Sequence, residues 1–201
     1  MPRRTQAERS EATTTALLAT ARTLFGQAGY TATSLDAVAA GAGVTKGALY
    51  HHFKDKKGLF RAAFVAEQQG VTTRLEAVAA AHSDIWQALR QGIRTFLEHC
   101  LDPCFRRIVL LDAPHVLGWE TVREIEHAYV LRVLRTGLEA AHSEGRLATS
   151  DVTVSAHLLF GTVCEAGMLL ARHPAPSEAL PTLVRETGRL LSALDPAPRR
   201  P

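Results

Sequence analysis

The sequence predicts an all-α protein: an N-terminal three-helix unit with a helix-turn-helix corner, then a larger helical body, about nine helices in all. Three observations carry this. Apolar residues recur at three- and four-residue intervals along almost the whole chain, while strand-like alternation is nearly absent. Residues suited to helix starts (Thr5, Ser34, Thr45, Asp55, Asp84, Asp151) precede those periodic runs, and glycine or proline follows most of them. Residues 33–60 also contain two short helical patterns around a glycine-bearing turn and all four lysines of the chain.

Taken in order, Thr5 and Glu8 form a capping-box pattern, each satisfying an amide of the other's turn. A helix is expected from there to about Ala28, burying Leu17, Leu18, Ala21, Leu24, Phe25 and Ala28, with Gly29 as its stop. Ser34 caps a second helix, where Asp36 meets the positive end of the dipole and Leu35, Val38 and Ala39 face inward. Gly41 and Gly43 break it, Val44 fills the corner, and Thr45 caps a third helix in which only Leu49 faces in. A fourth helix opens at Asp55 and continues to Ala81, tied to the first three by Leu59, Phe60, Ala63 and Phe64.

From Asp84 a single amphipathic stripe (Ile85, Trp86, Leu89, Ile93, Phe96, Leu97, Cys100) runs up to Pro103. Cys104–Leu111 reads as a short apolar helix stopped near Pro114, and Leu110–Trp119 as an apolar loop carrying His115 and Trp119. A long helix is expected from about Glu120 to Glu144, ended by Gly145. The helix opened by Asp151 is apolar nearly all the way round and so buried on more than one side. The last helix follows Pro181 and gathers Leu183, Val184, Leu190, Leu191 and Leu194 on one face.

This divides the chain into a module at 1–54, a body at 55–195 and a frayed Pro/Arg tail at 196–201. At 201 residues, 46% hydrophobic and 21% charged, the composition is that of a globular protein rather than a disordered one. No apolar run approaches the roughly 20 residues that span a bilayer, and the polar N-terminus lacks a signal-peptide core, so the expected location is cytoplasmic with no membrane partner. Three irregularly spaced cysteines make no disulfide framework and fit a reducing compartment.

Charge is distributed unevenly. Residues 1–60 hold eight basic and four acidic side chains, a balance of +4, whereas the rest holds fifteen against sixteen, a balance of −1. A basic patch confined to one end, directly after a helix-turn-helix pattern, is the footprint of a module that binds a polyanion, with the second helix of the pair laid in a major groove. Arg3, Arg4 and Arg9 could reach a phosphate or simply be solvated.

Residues 5–60 resemble the DNA-binding domain of the TetR/AcrR family of bacterial transcriptional regulators. The likeness is carried by Leu24-Phe25…Gly29-Tyr30, Thr33-Ser34, Val38-Ala39, Ala42-Gly43-Val44-Thr45-Lys46-Gly47, Leu49-Tyr50-His51-His52-Phe53, Lys56 and Leu59-Phe60, with Gly43–Phe53 its most specific run. The remaining helices resemble the family in number, length and order only. The resemblance implies a homodimer on a palindromic operator in double-stranded DNA, a small-molecule pocket in the body, and a four-helix dimer interface from the last two long helices. Leu158, Leu159, Val163, Leu170, Leu183, Leu190 and Leu191 are the expected interface residues.

Carried over by position, Thr45, Lys46, Gly47 and Ala48 would face base edges, Lys46 donating to guanine or a phosphate and Ala48 suited to a thymine methyl. Tyr50, His52 and Lys56 would hold phosphates, joined by Thr33 and Ser34. His51 either touches the backbone or is merely exposed. For the effector pocket the candidates are Gln68, Phe96, Cys100, Leu111, His115, Trp119, Glu165 and Met168, an apolar set that suggests a lipophilic compound; each could equally be core. Glu165, a lone carboxylate in an apolar helix, needs a partner if buried and could equally sit at a dimer edge.

His99, Cys100 and Cys104 do not form a metal site, since Pro103 breaks the spacing and no second cluster completes four ligands. No cofactor is expected. A redox role for these thiols has no motif behind it, and neither does an enzyme with Cys100 or Cys164 as nucleophile. Two readings stay open: a repressor released from DNA by a small molecule, and a ligand-independent regulator or activator whose body only dimerises.

Overall fold

The structure is a computed structural model that describes residues 5–149 and 151–195; Arg3, Arg4 and the expected frayed tail at 196–201 lie outside the described residues. Among these residues there are nine helices and no strand. They are α1 (Gln6–Ala32), α2 (Leu35–Gly41), α3 (Lys46–His52), α4 (Lys56–Ala81) and α5 (Ile85–His99). Then come α6 (Pro103–Phe105, Arg106–Asp112 and Ala113–Leu117 in succession) and α7 (Trp119–Glu126, His127–Leu131 and Arg132–Ser143). The last two are α8 (Val152–Arg172) and α9 (Pro176–Ser192). In α6 and α7 the middle stretch is π-helical.

By packing, the chain forms two units, one of the residues up to Glu67 with Pro103–Val122, the other of Gln68–Asp102 with the residues from Arg123 onward. The division therefore falls inside α4, thirteen residues beyond the end of the module drawn from sequence at residue 54, and it adds α6 to the N-terminal unit.

In the first unit the caps read from sequence are formed. Thr5 Oγ1 accepts from the Glu8 amide while Glu8 reaches back to the Thr5 amide. Ser34 Oγ accepts from the Ala37 amide and Thr45 Oγ1 from the Ala48 amide, both at 3.1 Å. Asp55 Oδ1 accepts from the Gly58 amide at 2.7 Å and so opens α4. Gly29 breaks the helical path at φ 78°, as expected of a stop, but three more residues close a last turn to Ala32. The core of this unit is aromatic. Phe25, Tyr30 and Phe60 meet with ring centroids 5.1–6.0 Å apart, two of the three contacts edge-on. Arg22 pairs with the buried Glu67.

The stretch from Pro103 corrects the sequence reading. Leu110–Trp119 is not a loop: a π-helical run continues to Asp112 and a further α-helical turn carries Pro114 and His115 to Leu117. Pro114 does not stop the helix because it sits in the first turn of that α-helical segment, where a missing N–H is tolerated. The stop is Gly118, at φ 87°. Asp112 ties α6 to the end of α1, accepting from the Tyr30 amide at 2.7 Å and pairing with Arg107 at 3.1 Å.

In the second unit α5 packs against α7, α8 and α9, and α8 against α9. Trp86, Leu97, Cys100, Leu138, Ala141, Leu170 and Leu191 are wholly enclosed; a fully buried leucine contributes roughly 1.5–3 kcal/mol relative to exposure. Asp84 caps α5 and also binds Arg146 at 2.8 Å, which holds its carboxyl below the usual range. Two further expectations change. The last helix begins at Pro176, with Pro181 inside it on an exposed side, where the missing N–H faces water. α8, 21 residues with an 18-residue stretch of mean hydropathy 1.5, is long and apolar enough to cross a bilayer by length and composition, although no such run was expected. Its Thr, Ser, His and Gly residues interrupt the apolar runs, but its Val, Leu, Phe and Ala residues outweigh them in the average, and seven of its residues pack into this unit's core.

Candidate nucleic-acid interface and ligand cavity

α3 is held by one buried anchor, Leu49, and by its Thr45 cap, which leaves its other sides outward. Thr45, Lys46, Gly47, Tyr50 and His51 are exposed; Ala48 and His52 are half-buried. Nothing bulky stands over Gly47, whose missing Cβ would lie 4.0 Å from the nearest neighbouring atom, Thr45 Oγ1. Lys46 Nζ pairs across the corner with Asp36 of α2, 2.8 Å from Oδ1, and this carboxylate raises the lysine's pKa. Gly43 makes the tight corner between the helices at φ 67°.

The flanking candidates divide. Tyr50 is 48% exposed and Ser34 is exposed at the start of α2. His52 Nδ1 lies 3.1 Å from Thr14 Oγ1 and its ring meets His51 edge-on at 5.4 Å. Lys56 Nζ donates to the Thr31 carbonyl at 3.1 Å and stands 4.4 Å from the centroid of Tyr30. Thr33 is a correction. It is 5% exposed, and its hydroxyl donates to the Gly29 and Leu24 carbonyls at 2.9 and 3.1 Å, closing the end of α1 instead of facing outward.

The second unit contains a cavity of about 310 Å³ between α4, α5, α7 and α8. Its wall is almost entirely apolar, with Leu75, Ala79, Leu89, Ile93, Val130 and Phe160 among the lining residues. Gly92 keeps the α5 face low, and among the described residues the ion pair at the wall is Glu76–Arg132, 2.7 Å and half-exposed. A second, wider groove on the other side of α5 carries Arg90, Arg94, Arg185 and Arg189.

Comparison with known proteins now settles the family. Residues 17–63 match the family model for bacterial regulatory proteins of the tetR family, and residues 86–194 match the tetracyclin repressor-like C-terminal domain. The chain belongs to the TetR family of transcriptional regulators. It is 31% identical over 159 residues to the transposon Tn10 TetC protein of Escherichia coli, covering 78% of this chain and 79% of that one. It is 36% identical over 111 residues to the transcriptional regulator AcrR of Shigella flexneri, covering 55% and 51%. The crystal structure of a TetR-family regulator from Pectobacterium atrosepticum superposes with TM-score 0.83 at 35% identity, covering 98% of this chain and all of that one.

Within this TetR-family framework the effector candidates do not gather. Phe96 alone lines the cavity. Leu111, His115 and Trp119 belong to the first unit, where His115 and Trp119 are exposed. Their selection rested on a loop that is a helix. Glu165 is exposed, so burial demands no partner for it, and Met168 is half-buried. Cys100 is enclosed, and burial drives its thiol pKa strongly upward. Gln68 is enclosed as well, with an unpartnered Oε1.

The TetR-type dimer candidates also separate. Leu158 and Leu190 are 69% and 56% exposed and Leu183 is half-buried, whereas Leu159, Val163, Leu170 and Leu191 are buried in the chain's own core. The helix expected to be apolar all round buries one side in this core and leaves apolar residues exposed on another. The exposed apolar positions of α8 are Val154, Leu158 and Leu169.

One cluster has no counterpart in the sequence reading. Glu126, at the junction of the α-helical and π-helical parts of α7, pairs with Arg123 at 3.1 Å, and burial lifts its carboxyl to about 7. Arg123 also reaches Cys164 Sγ at 3.9 Å, whose thiol burial pushes up to about 12. His127 stacks on His157 with centroids 5.0 Å apart, and its pKa is lowered, first by desolvation and then by His157 and Arg123. A glutamate i−4 from the cavity-lining Val130 was the available signal, but an ordinary polar helix face gives the same pattern.

Proposed function

We propose that this TetR-family regulator is a cytoplasmic homodimeric repressor that binds a palindromic operator and is released by a lipophilic small molecule. The observation that carries the DNA-binding part is the outward surface of α3, small at Gly47 and Ala48, cationic at Lys46 and capped at Thr45. A helix with small residues at its leading end can sit deep in a major groove, Lys46 meeting guanine or phosphate and Tyr50 the backbone. Lys46 must first exchange Asp36 for DNA, a swap between two exposed anionic partners.

Dimerisation is supported by Val154, Leu158 and Leu169 on α8 and Leu190 on α9, large apolar side chains that a monomer leaves wet. The apolar cavity supports a ligand-responsive repressor over a regulator whose body only dimerises, since a dimerisation module has no use for 310 Å³ of empty apolar space. Repression is further supported by the tetracyclin repressor-like match of the body. Filling the cavity would act on α4, whose Leu75, Glu76 and Ala79 line it and whose other end begins directly after α3.

The test is a gel-shift series on duplex fragments from upstream of the protein's own coding sequence, titrated with lipophilic compounds. Retardation that a compound reverses supports the proposal. Retardation that no compound changes, in a chain whose cavity also binds none of them, overturns the ligand-released part.

A further inference from the structure

Three buried side-chain polar atoms have no hydrogen-bond partner among the described residues: Gln68 Oε1, Thr72 Oγ1 and Trp86 Nε1. Two of them are on α4, in residues only 2% and 4% exposed. Residues 68, 72, 75 and 79 follow one another at intervals of four, three and four, so they form a single stripe on that helix. Leu75 and Ala79 of this stripe line the cavity. Thr72 and Gln68 continue it by one and two turns beyond the apolar wall. A buried carbonyl oxygen or hydroxyl without a partner is disfavoured, so a helix that keeps two in succession on the stripe that also enters the cavity wall is equipped for a partner that comes and goes.

The cavity is elongated. Its wall on α5 runs from Ile85 to Phe96, eleven residues and so about 16 Å at the helical rise. We infer that its occupant is a slender lipophilic molecule with a neutral or cationic hydrogen-bond donor at one end, a hydroxyl or an amine, received by Gln68 Oε1 and Thr72 Oγ1. This rests on the effector reading above and narrows it to a ligand class. A carboxylate head is disfavoured, since the Gln68 carbonyl oxygen can only accept and the cation at the cavity wall, Arg132, is already paired with Glu76. Glu126, one turn from the lining residue Val130, already has Arg123 as its partner and leaves no free cation for an anion there.

The test compares 1-decanol, decylamine and decanoate by calorimetry and by thermal shift on the full chain, in the wild type and in Gln68→Leu, Thr72→Val and the double variant. Thr72→Ser serves as the hydroxyl-retaining control. The expected result is that decanol and decylamine bind about tenfold or more tightly than decanoate. The preference collapses in the double variant and survives in Thr72→Ser. Without ligand, Thr72→Val melts no lower than wild type, because the hydroxyl it loses had no partner. Equal binding of all three probes, or a preference that persists in the double variant, overturns the inference while leaving the effector cavity standing. A marked fall in the melting temperature of Thr72→Val also overturns it, by assigning the hydroxyl a structural bond. Binding of none of the probes removes the effector reading itself.

Discussion

Lys46 of the outward helix and Asp36 of the helix before it are joined by an ion pair, Nζ to Oδ1 at 2.8 Å, with both side chains more than half exposed. The one cation at the leading end of α3 is therefore held by an acid ten residues earlier in the chain. This pair restrains the lysine before DNA arrives and competes with DNA once it does.

The first prediction follows from that competition. Asp36→Asn raises affinity for duplex DNA several-fold, because Lys46 no longer exchanges partners and a negative charge leaves the interface. Lys46→Ala lowers affinity, and where the lysine meets a phosphate it reduces the slope of log affinity against log salt by about one. Fluorescence anisotropy at four salt concentrations reads both effects. An Asp36→Asn protein that binds more weakly would mean that the ion pair positions α3 instead of restraining Lys46.

The same pair shows how much could be read without coordinates. The caps at Thr5, Ser34, Thr45 and Asp151 were legible because a short polar side chain ahead of an apolar period has little else to do. Leu49, Phe25 and Phe60 were legible as core for the complementary reason. What spacing could not supply was partner identity. Thr33 and Ser34 look equivalent, but one hydroxyl turns into α1 and the other caps α2. Proline misled twice: Pro114 and Pro181 suggested boundaries, whereas a change of helical register and an exposed helix face absorb them. The cavity was illegible because a void is defined by what several helices fail to fill, and the Gly92 that helps leave it open resembles any helical glycine.

Glu126 gives a pH prediction. Burial raises its folded-state pKa to about 7, above the unfolded value near 4.5. A raised folded pKa contributes stability that is fully present below the unfolded value and is lost as pH rises through about 7. Relative to Glu126→Gln, the wild type should thus lose stability between about pH 5 and pH 7.5, by at most roughly 3 kcal/mol, with Arg123 reducing the amount. Urea melts of both proteins across that range measure it. Parallel curves would contradict the assigned shift.

Leu158 and Leu159 separate an outward apolar face from the core on adjacent residues, 69% and 5% exposed. Leu158→Glu should give a folded monomer with an unchanged helical circular dichroism spectrum. Leu159→Glu should lose the fold, since a carboxylate then replaces a core leucine. Light scattering after size exclusion distinguishes them. A Leu158→Glu protein that still dimerises would move the interface off this face of α8.

Gly92 faces the cavity with space to spare, its missing Cβ 4.0 Å from Leu75 Cδ2. Gly92→Leu should fill part of the cavity and, by replacing a helical glycine, keep or raise the melting temperature by the equivalent of up to about 1 kcal/mol. DNA binding is retained and release by a lipophilic compound is lost. Release that persists in this variant would put the effector elsewhere.

The most direct test of the central claim is selection of binding sites from random duplex DNA, carried out with the wild type and with Tyr50→Ala, whose exposed phenol is the expected backbone contact. The account predicts enrichment of an inverted repeat whose half-sites are centred about one helical turn apart, roughly 34–36 Å, with enrichment lost in the variant. Recovery of no symmetric site, or of the same site with equal strength by Tyr50→Ala, would contradict operator binding through α3 of a dimer.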